Sequence, residues 1–238
     1  MKIRRIIFVL MATVLMVACG GNNGSTNFTY EHPKRYSVGD ATIAQPIRSL
    51  SVNWLCGDVD ILYSDTPEVR IYEKADTSLT YDLRLRYYVD DEGELEIQYC
   101  ANGKYQFDDL KALRKHLYIE LPRDMNLDDI EIDGVDVRVA VWRVQHRKLN
   151  VDGVNVNVNS YYPSDLPDEI DMDGVKSLLA LHVVPETAGL TIEMDGVMNH
   201  LRCDVPSVKK DNKTIVGDGS CQVTVDGVDM IVDVIKLI

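Results

Sequence analysis

One phrase recurs five times in the second half of this chain, and it limits what the chain can fold into more than any other feature. The phrase is apolar, polar, apolar, then Asp-Gly-Val, then alternating residues. Its copies are Ile130-Glu131-Ile132-Asp133-Gly134-Val135, Leu149-Asn150-Val151-Asp152-Gly153-Val154, Ile170-Asp171-Met172-Asp173-Gly174-Val175, Ile192-Glu193-Met194-Asp195-Gly196-Val197 and Val223-Thr224-Val225-Asp226-Gly227-Val228. The aspartates stand 19, 21, 22 and 31 residues apart. Such spacing belongs to repeat architectures, in which each unit buries its apolar face on its neighbours.

Three before the Asp stand Ile130, Leu149, Ile170, Ile192 and Val223, and one before it Ile132, Val151, Met172, Met194 and Val225. Two after it comes Val every time, and six after it Val139, Val158, Leu179, Leu201 and Val232. The apolar residues fall on odd offsets before the Asp and on even offsets after the Gly, which predicts a bend at Asp-Gly. Glycine enters positive-φ backbone without steric cost, and Asp caps such a turn with its own side chain. A two-residue hairpin and the corner of a β-solenoid both satisfy the bend. Stacking of coils at about 4.8 Å also explains why the same columns recur. The expected fold is therefore all-β: a right-handed single-stranded β-helix, its repeats strongest over 130–238, with a β-hairpin region before them.

Four after the Asp the column is mixed: Val137, Val156, Ser177, Asn199 and Met230. Ser177 and Asn199 would be inward neighbours bonded to each other or to backbone, because an unpaired buried polar group costs about 1–3 kcal/mol. Cys203 and Cys221 also point inward in this register and would meet across adjacent coils. A disulfide there would add about 3 kcal/mol by loop entropy, and two buried free thiols fit the pattern as well. Outward-facing Asp133, Asp152, Asp173, Asp195 and Asp226 would cap their own turns or, in the sharper reading, hold calcium between coils. The glycine-rich nonapeptide of calcium solenoids is missing, and no other metal or cofactor is expected.

Before the repeats, Ile47 to Tyr72 alternates in short bursts, with Cys56-Gly57-Asp58 and Asp65-Thr66-Pro67 as turns. Tyr81–Val89 and Glu94–Tyr99 flank Asp90-Asp91-Glu92-Gly93 as a hairpin. An insertion over 100–115 follows, with one or two helical turns within Asp108–Lys115, acids first and bases last. Leu117–Pro122 resumes strand, and proline ends it.

The first residues carry an address. Lys2, Arg4 and Arg5 precede an apolar run from Ile6 to Val17, too short to span a membrane. It ends in Leu15-Met16-Val17-Ala18-Cys19-Gly20, which resembles a bacterial lipoprotein signal: residues 1–18 would be removed, Cys19 lipidated, and 19–40 left as a flexible tether. No acid closely follows Cys19, which favours the periplasmic side of an outer membrane over the cell surface. Net charge is −13 for the whole chain and −16 without the signal's three bases, so nucleic acid is a poor partner.

No catalytic signature is present. Histidines 32, 116, 146, 182 and 200 form no close metal pair, and the chain has no nucleophile elbow, P-loop or His-Glu-x-x-His. One basic cluster stands out in the acidic background: Trp142, Arg143, His146, Arg147 and Lys148, a candidate patch for an anionic sugar or a partner's acids, with Trp142 as a stacking surface. Tyr161-Tyr162-Pro163 is a second candidate for stacking on sugar; the plainer readings are a solvated inter-coil turn for the basic cluster, since charged runs usually face water, and packing at a coil edge for the tyrosines.

Leu50-Ser51-Val52 with Gly57-Asp58-Val59-Asp60-Ile61, then Leu117–Pro122 leading into Leu127-Asp128-Asp129-Ile130-Glu131-Ile132-Asp133-Gly134 and the Gly-Val repeats, resemble the auto-transporter adhesin head (GIN-like) family of bacterial envelope β-solenoids. The resemblance covers most of Ile47 to Ile238 and places an adhesin-like domain over 41–238. It implies a non-catalytic adhesion or interaction module, lipid-anchored in the envelope, with a cell-envelope or surface protein or glycan as partner. The alternatives are a lyase or hydrolase on a β-helix, with acids and an Arg or Lys facing one groove, and a structural envelope component without a dedicated ligand.

Overall fold

A strand with apolar residues at every second position must cover one face. The computed structural model, which describes residues 25–237, covers it by stacking: the chain is nearly all β, with one short α-helix, Phe107–Ala112, among the described residues. Gln145–Val154 and Val156–Tyr162 form a two-strand rung joined at a corner. The first strand lies parallel between Asn126–Trp142 and Glu169–Val175, Asp opposite Asp and Gly opposite Gly. The second lies between the far half of Asn126–Trp142 and Leu178–Val183.

Seven such rungs stack in the spatial order 94–122, 49–64, 126–142, 145–162, 169–183, 221–236, 190–203. This is not chain order. Rung 49–64 sits inside 94–122, and the last rung, 221–236, slides between 169–183 and 190–203. The expected β-helix advances one coil per repeat, and this stack departs from it at both ends. The long last spacing supplies the means: Ser207–Lys210 and Lys213–Val216 form a hairpin laid antiparallel on Leu190–Val197, and the chain then returns beneath that rung. At the opposite end Arg86–Val89 and Val69–Lys74 pair antiparallel onto Glu94–Gln98 and His116–Pro122.

The swap changes what meets what. Cys221 is in register with Leu190 and Cys203 with Val234, and Cys56, Cys100, Cys203 and Cys221 are all free thiols, so the Cys203–Cys221 disulfide does not form. Ser177 and Asn199 are likewise kept apart by the inserted rung, and both bond to backbone. Ser177 Oγ accepts from the Val156 N–H at 3.0 Å, and Asn199 Oδ1 accepts from the Met230 N–H at 3.0 Å.

The columns three and one before the Asp and four, six and eight after it form the core between the two strand layers, loosening only at the edge rung, where Met194, Leu201 and Cys203 are half-buried. The valine two after the Asp is not core. Val197 and Val228 are 60% and 39% exposed, and Val135, Val154 and Val175 are half-buried. The reason is the position of the bend. The left-handed residue stands three after the Asp, at Asn155, Lys176, Met198 and Asp229, with φ of 57°, 55°, 61° and 60°. Side-chain alternation therefore runs unbroken through the glycine and changes phase after the valine.

The glycines answer to a second constraint. A Cβ on Gly153 would collide with the carbonyl oxygen of Gly134, one on Gly174 with that of Gly153, and one on Gly227 with that of Gly174. The column is glycine because each rung's carbonyl touches the next rung's Cα.

Upstream, Ser49–Ser64 is one long strand bent at Gly57 (φ 100°), where separate short strands are expected. The hairpin at Asp90–Gly93 forms, Asp90 Oδ1 accepting from the Glu92 and Glu94 N–H groups at 2.8 Å each, but its first strand is Arg86–Val89 rather than Tyr81–Val89, because Tyr81–Leu83 is a 3-10 turn. Within the insertion, Lys115 is wholly buried. Its ammonium pairs with Glu73 at 2.6 Å, donates to the Leu83 carbonyl at 2.8 Å and lies 4.8 and 4.2 Å from the ring centres of Trp54 and Tyr99. The expected free tether is shorter than 19–40: Ser25–Phe28 pairs with Gly103–Gln106, and Phe28 is buried. The expected signal and Cys19 lie outside the described residues.

Candidate functional site

Turns that close the second strands of neighbouring rungs come together at one edge of the stack. There Tyr63, Arg123, Arg143, Gln145, Tyr161, Tyr162, Pro163, Ser164 and Asp165 line a shallow groove of about 80 Å³. It crosses four rungs, a span on the order of 14 Å at the usual strand spacing. The Arg143 turn and the Tyr161-Tyr162-Pro163 turn, separate in sequence, share this groove. Tyr63 and Arg123 come from segments that carry no local motif, and only the non-sequential stacking brings them here. Tyr63 fixes the floor, its hydroxyl accepting from the Gln145 N–H at 2.8 Å and donating to the Met125 carbonyl at 2.9 Å.

The basic cluster does not act as one patch. His146 is buried, its Nδ1–H donating to the Val144 carbonyl at 2.8 Å and its Nε2 accepting from the Tyr162 hydroxyl at 3.1 Å; burial holds its pKa down at about 4. Arg147 pairs with Asp168 at 3.2 Å, and Lys148 pairs with Glu169. Arg123 pairs with Asp65 at 2.6 Å. Arg143, at a left-handed corner (φ 58°), is exposed and has no ion-pair partner among the described residues. Of the two arginines that line the groove, it is the one outside an ion pair.

Trp142 stands beside the groove, 43% exposed, in a stack of rings set by the register. Trp142 and Tyr161 are 4.3 Å apart and 7° from parallel, and Tyr161 and His182 are 4.2 Å apart at 11°. Tyr161 is covered by a ring on both faces, and Trp142 on one. Trp142 Nε1–H donates to Asp60 at 3.3 Å.

The first-strand layer has a different outer surface. Its column four before the Asp places Lys148 between Asp129 and Glu169, and the next places Asn150 between Glu131 and Asp171. The Asp column itself has no such relief: Asp133, Asp152, Asp173, Asp226 and Asp195 lie in unbroken register, with Asn53 above Asp133. Stacked carboxylates repel by roughly 1 kcal/mol per adjacent pair even in water. Asp173, Asp195 and Asp226 are exposed to it. Asp133 is 5% exposed, and neither of its carboxylate oxygens has a hydrogen-bond partner, so it does not cap its own turn. Burial, then Glu131 and Asp152, push its carboxyl up to about 8. Burial and nearby acids, Glu96 first, similarly raise Glu94 to about 7.

No helix among the described residues is long and apolar enough to cross a membrane. No protein-family model and no curated protein matches the chain. Among solved structures, a putative adhesin from Bacteroides fragilis NCTC 9343 aligns at 11% identity and a TM-score of 0.35, over 85% of this chain and 98% of its own. A putative cell adhesion protein from Clostridium sporogenes ATCC 15579 aligns over 85% of this chain and 100% of its own, at 13% identity and a TM-score of 0.66. The chain thus shares the fold of a protein described as an adhesion molecule.

Proposed function

We propose that this protein is a non-catalytic adhesion or interaction module, a lipid-anchored β-solenoid of the bacterial envelope, whose edge groove grips an anionic group of a protein or glycan partner. One observation carries the reading: Arg143 is an unpaired, exposed guanidinium in a groove of tyrosines, on a chain of net charge −13. Guanidinium forks match carboxylate geometry, and tyrosines supply rigid contact area with hydroxyl tips. The groove is lined by a single carboxylate, Asp165, whereas glycoside hydrolysis uses two. Support for envelope anchoring is the lipoprotein-like signal over residues 1–18 ahead of Cys19, and the lack of acids closely after Cys19 favours the periplasmic side of an outer membrane.

Binding of a fluorescent oligogalacturonate and of a polyglutamate peptide to the exported chain tests this. Arg143→Ala is expected to weaken binding of whichever anion is held by at least tenfold, and Arg202→Ala, whose guanidinium is already paired with Asp233, to leave it unchanged. No binding of either probe, or equal loss in both variants, overturns the groove. Release of unsaturated or reducing sugar from the glycan would move the protein to the lyase or hydrolase reading.

A further inference from the structure

The acidic column is uniform in sequence and uneven in structure. Glu131, Asp133 and Asp152 each bring a carboxylate oxygen to within 4.8 Å of the other two. Asp133 is nine-tenths buried, and both its oxygens are unpartnered. Nearby cations are engaged elsewhere: Lys111 pairs with Asp136 and Lys148 with Glu169. Further along the column Asp173, Asp195 and Asp226 are exposed, and Asp133, between rungs 49–64 and 145–162, is the buried member of the column.

We propose that Glu131, Asp133 and Asp152 hold a divalent cation, calcium by the hardness of an all-oxygen donor set, clamping these two rungs together. Calcium takes six to eight oxygen ligands, water among them, in flexible geometry. Asn53, in register on the other side of Asp133, occupies the place from which a neutral amide oxygen would complete the set. The inference is independent of the groove, which lies at the other end of the second strands.

The exported chain, stripped with chelator, is titrated with calcium in a calorimeter, and with terbium while exciting tryptophan; Trp54, in register with Gly134, is the nearby donor. One saturable site and a raised melting temperature are expected. Asp133→Asn, which keeps shape and removes charge, should fold, melt in chelator at or above the wild type, and bind at least tenfold more weakly. Asp226→Asn, in the same column but exposed, should bind as the wild type does. No heat and no change in melting up to about 10 mM calcium, beyond the range of weak extracellular calcium modules, overturns the site. So does equal loss in both variants, which would mean diffuse attraction to an acidic face.

Discussion

His146 shows how a residue that reads as surface in the sequence works from inside the fold. It is a base in a basic run, yet it lies in register with buried Leu127 and shares a hydrogen bond with Tyr162. Its proton affinity then links stability to pH. The folded chain holds it at about 4, against an ordinary value of 6.5, so between these values the unfolded chain binds a proton that the folded chain refuses. Its contribution is complete above about 6.5 and is lost as pH falls toward 4. Each unit is worth about 1.4 kcal/mol, so urea unfolding at pH 7 and pH 5 should show His146→Gln losing about 2 kcal/mol less than the wild type over that interval. Parallel losses in the two proteins would contradict the buried neutral imidazole.

At the scale of strands and turns, much was legible. The columns three and one before the Asp and six after it announce themselves by period, because an inward column in a stack is apolar in nearly every copy, and the mixed columns four and eight after it follow from the alternation. The valine column misleads for a physical reason. It is as uniform as the core, but the phase change falls at the left-handed residue after it, and that position is filled by Asn155, Lys176, Met198 and Asp229, which share no sequence signature. Lys115 was equally silent, a basic residue after a short amphipathic helix. Its burial against Glu73 makes a sharp test: removing one member of a buried ion pair strands the other charge. Lys115→Met should cost about 3–5 kcal/mol in denaturant unfolding, and Lys115→Met with Glu73→Leu should recover most of it. Additive losses would show that packing, not charge, holds the insertion.

For the whole molecule, the order of rungs could not be read from the repeats, because in-register copies are interchangeable: every Asp-Gly-Val unit offers its neighbour the same ladder. Only the 31-residue gap before Asp226 marked the place, and it gave no direction. The groove suffers from the same blindness, since Tyr63 and Arg123 reach it only because rungs 49–64 and 94–122 stack ahead of 126–142. The swap predicts a global response to truncation. A chain ending at residue 217 loses rung 221–236 and leaves 190–203 with no parallel partner. Calorimetry should show a large loss of melting temperature and enthalpy, more than trimming one end unit of a repeat array would cause. A small local loss would mean that 190–203 docks directly on 169–183.

The interleaved order also bears on how the molecule carries load. Both the first and the last rung of the chain lie inside the stack, each flanked on two sides, while the outermost rungs come from the middle of the sequence. Tension drawn from the C-terminal side therefore reaches a strand gripped from both neighbours, Ile231–Lys236 between Leu178–Val183 and His200–Cys203, whose ladders must slide along their length before the rung peels away. Tension from the other side first meets Ser25–Phe28, paired with Gly103–Gln106 alone. A solenoid wound in chain order would unravel from its last coil, one after another; here the last rung of the chain has no free edge to pull.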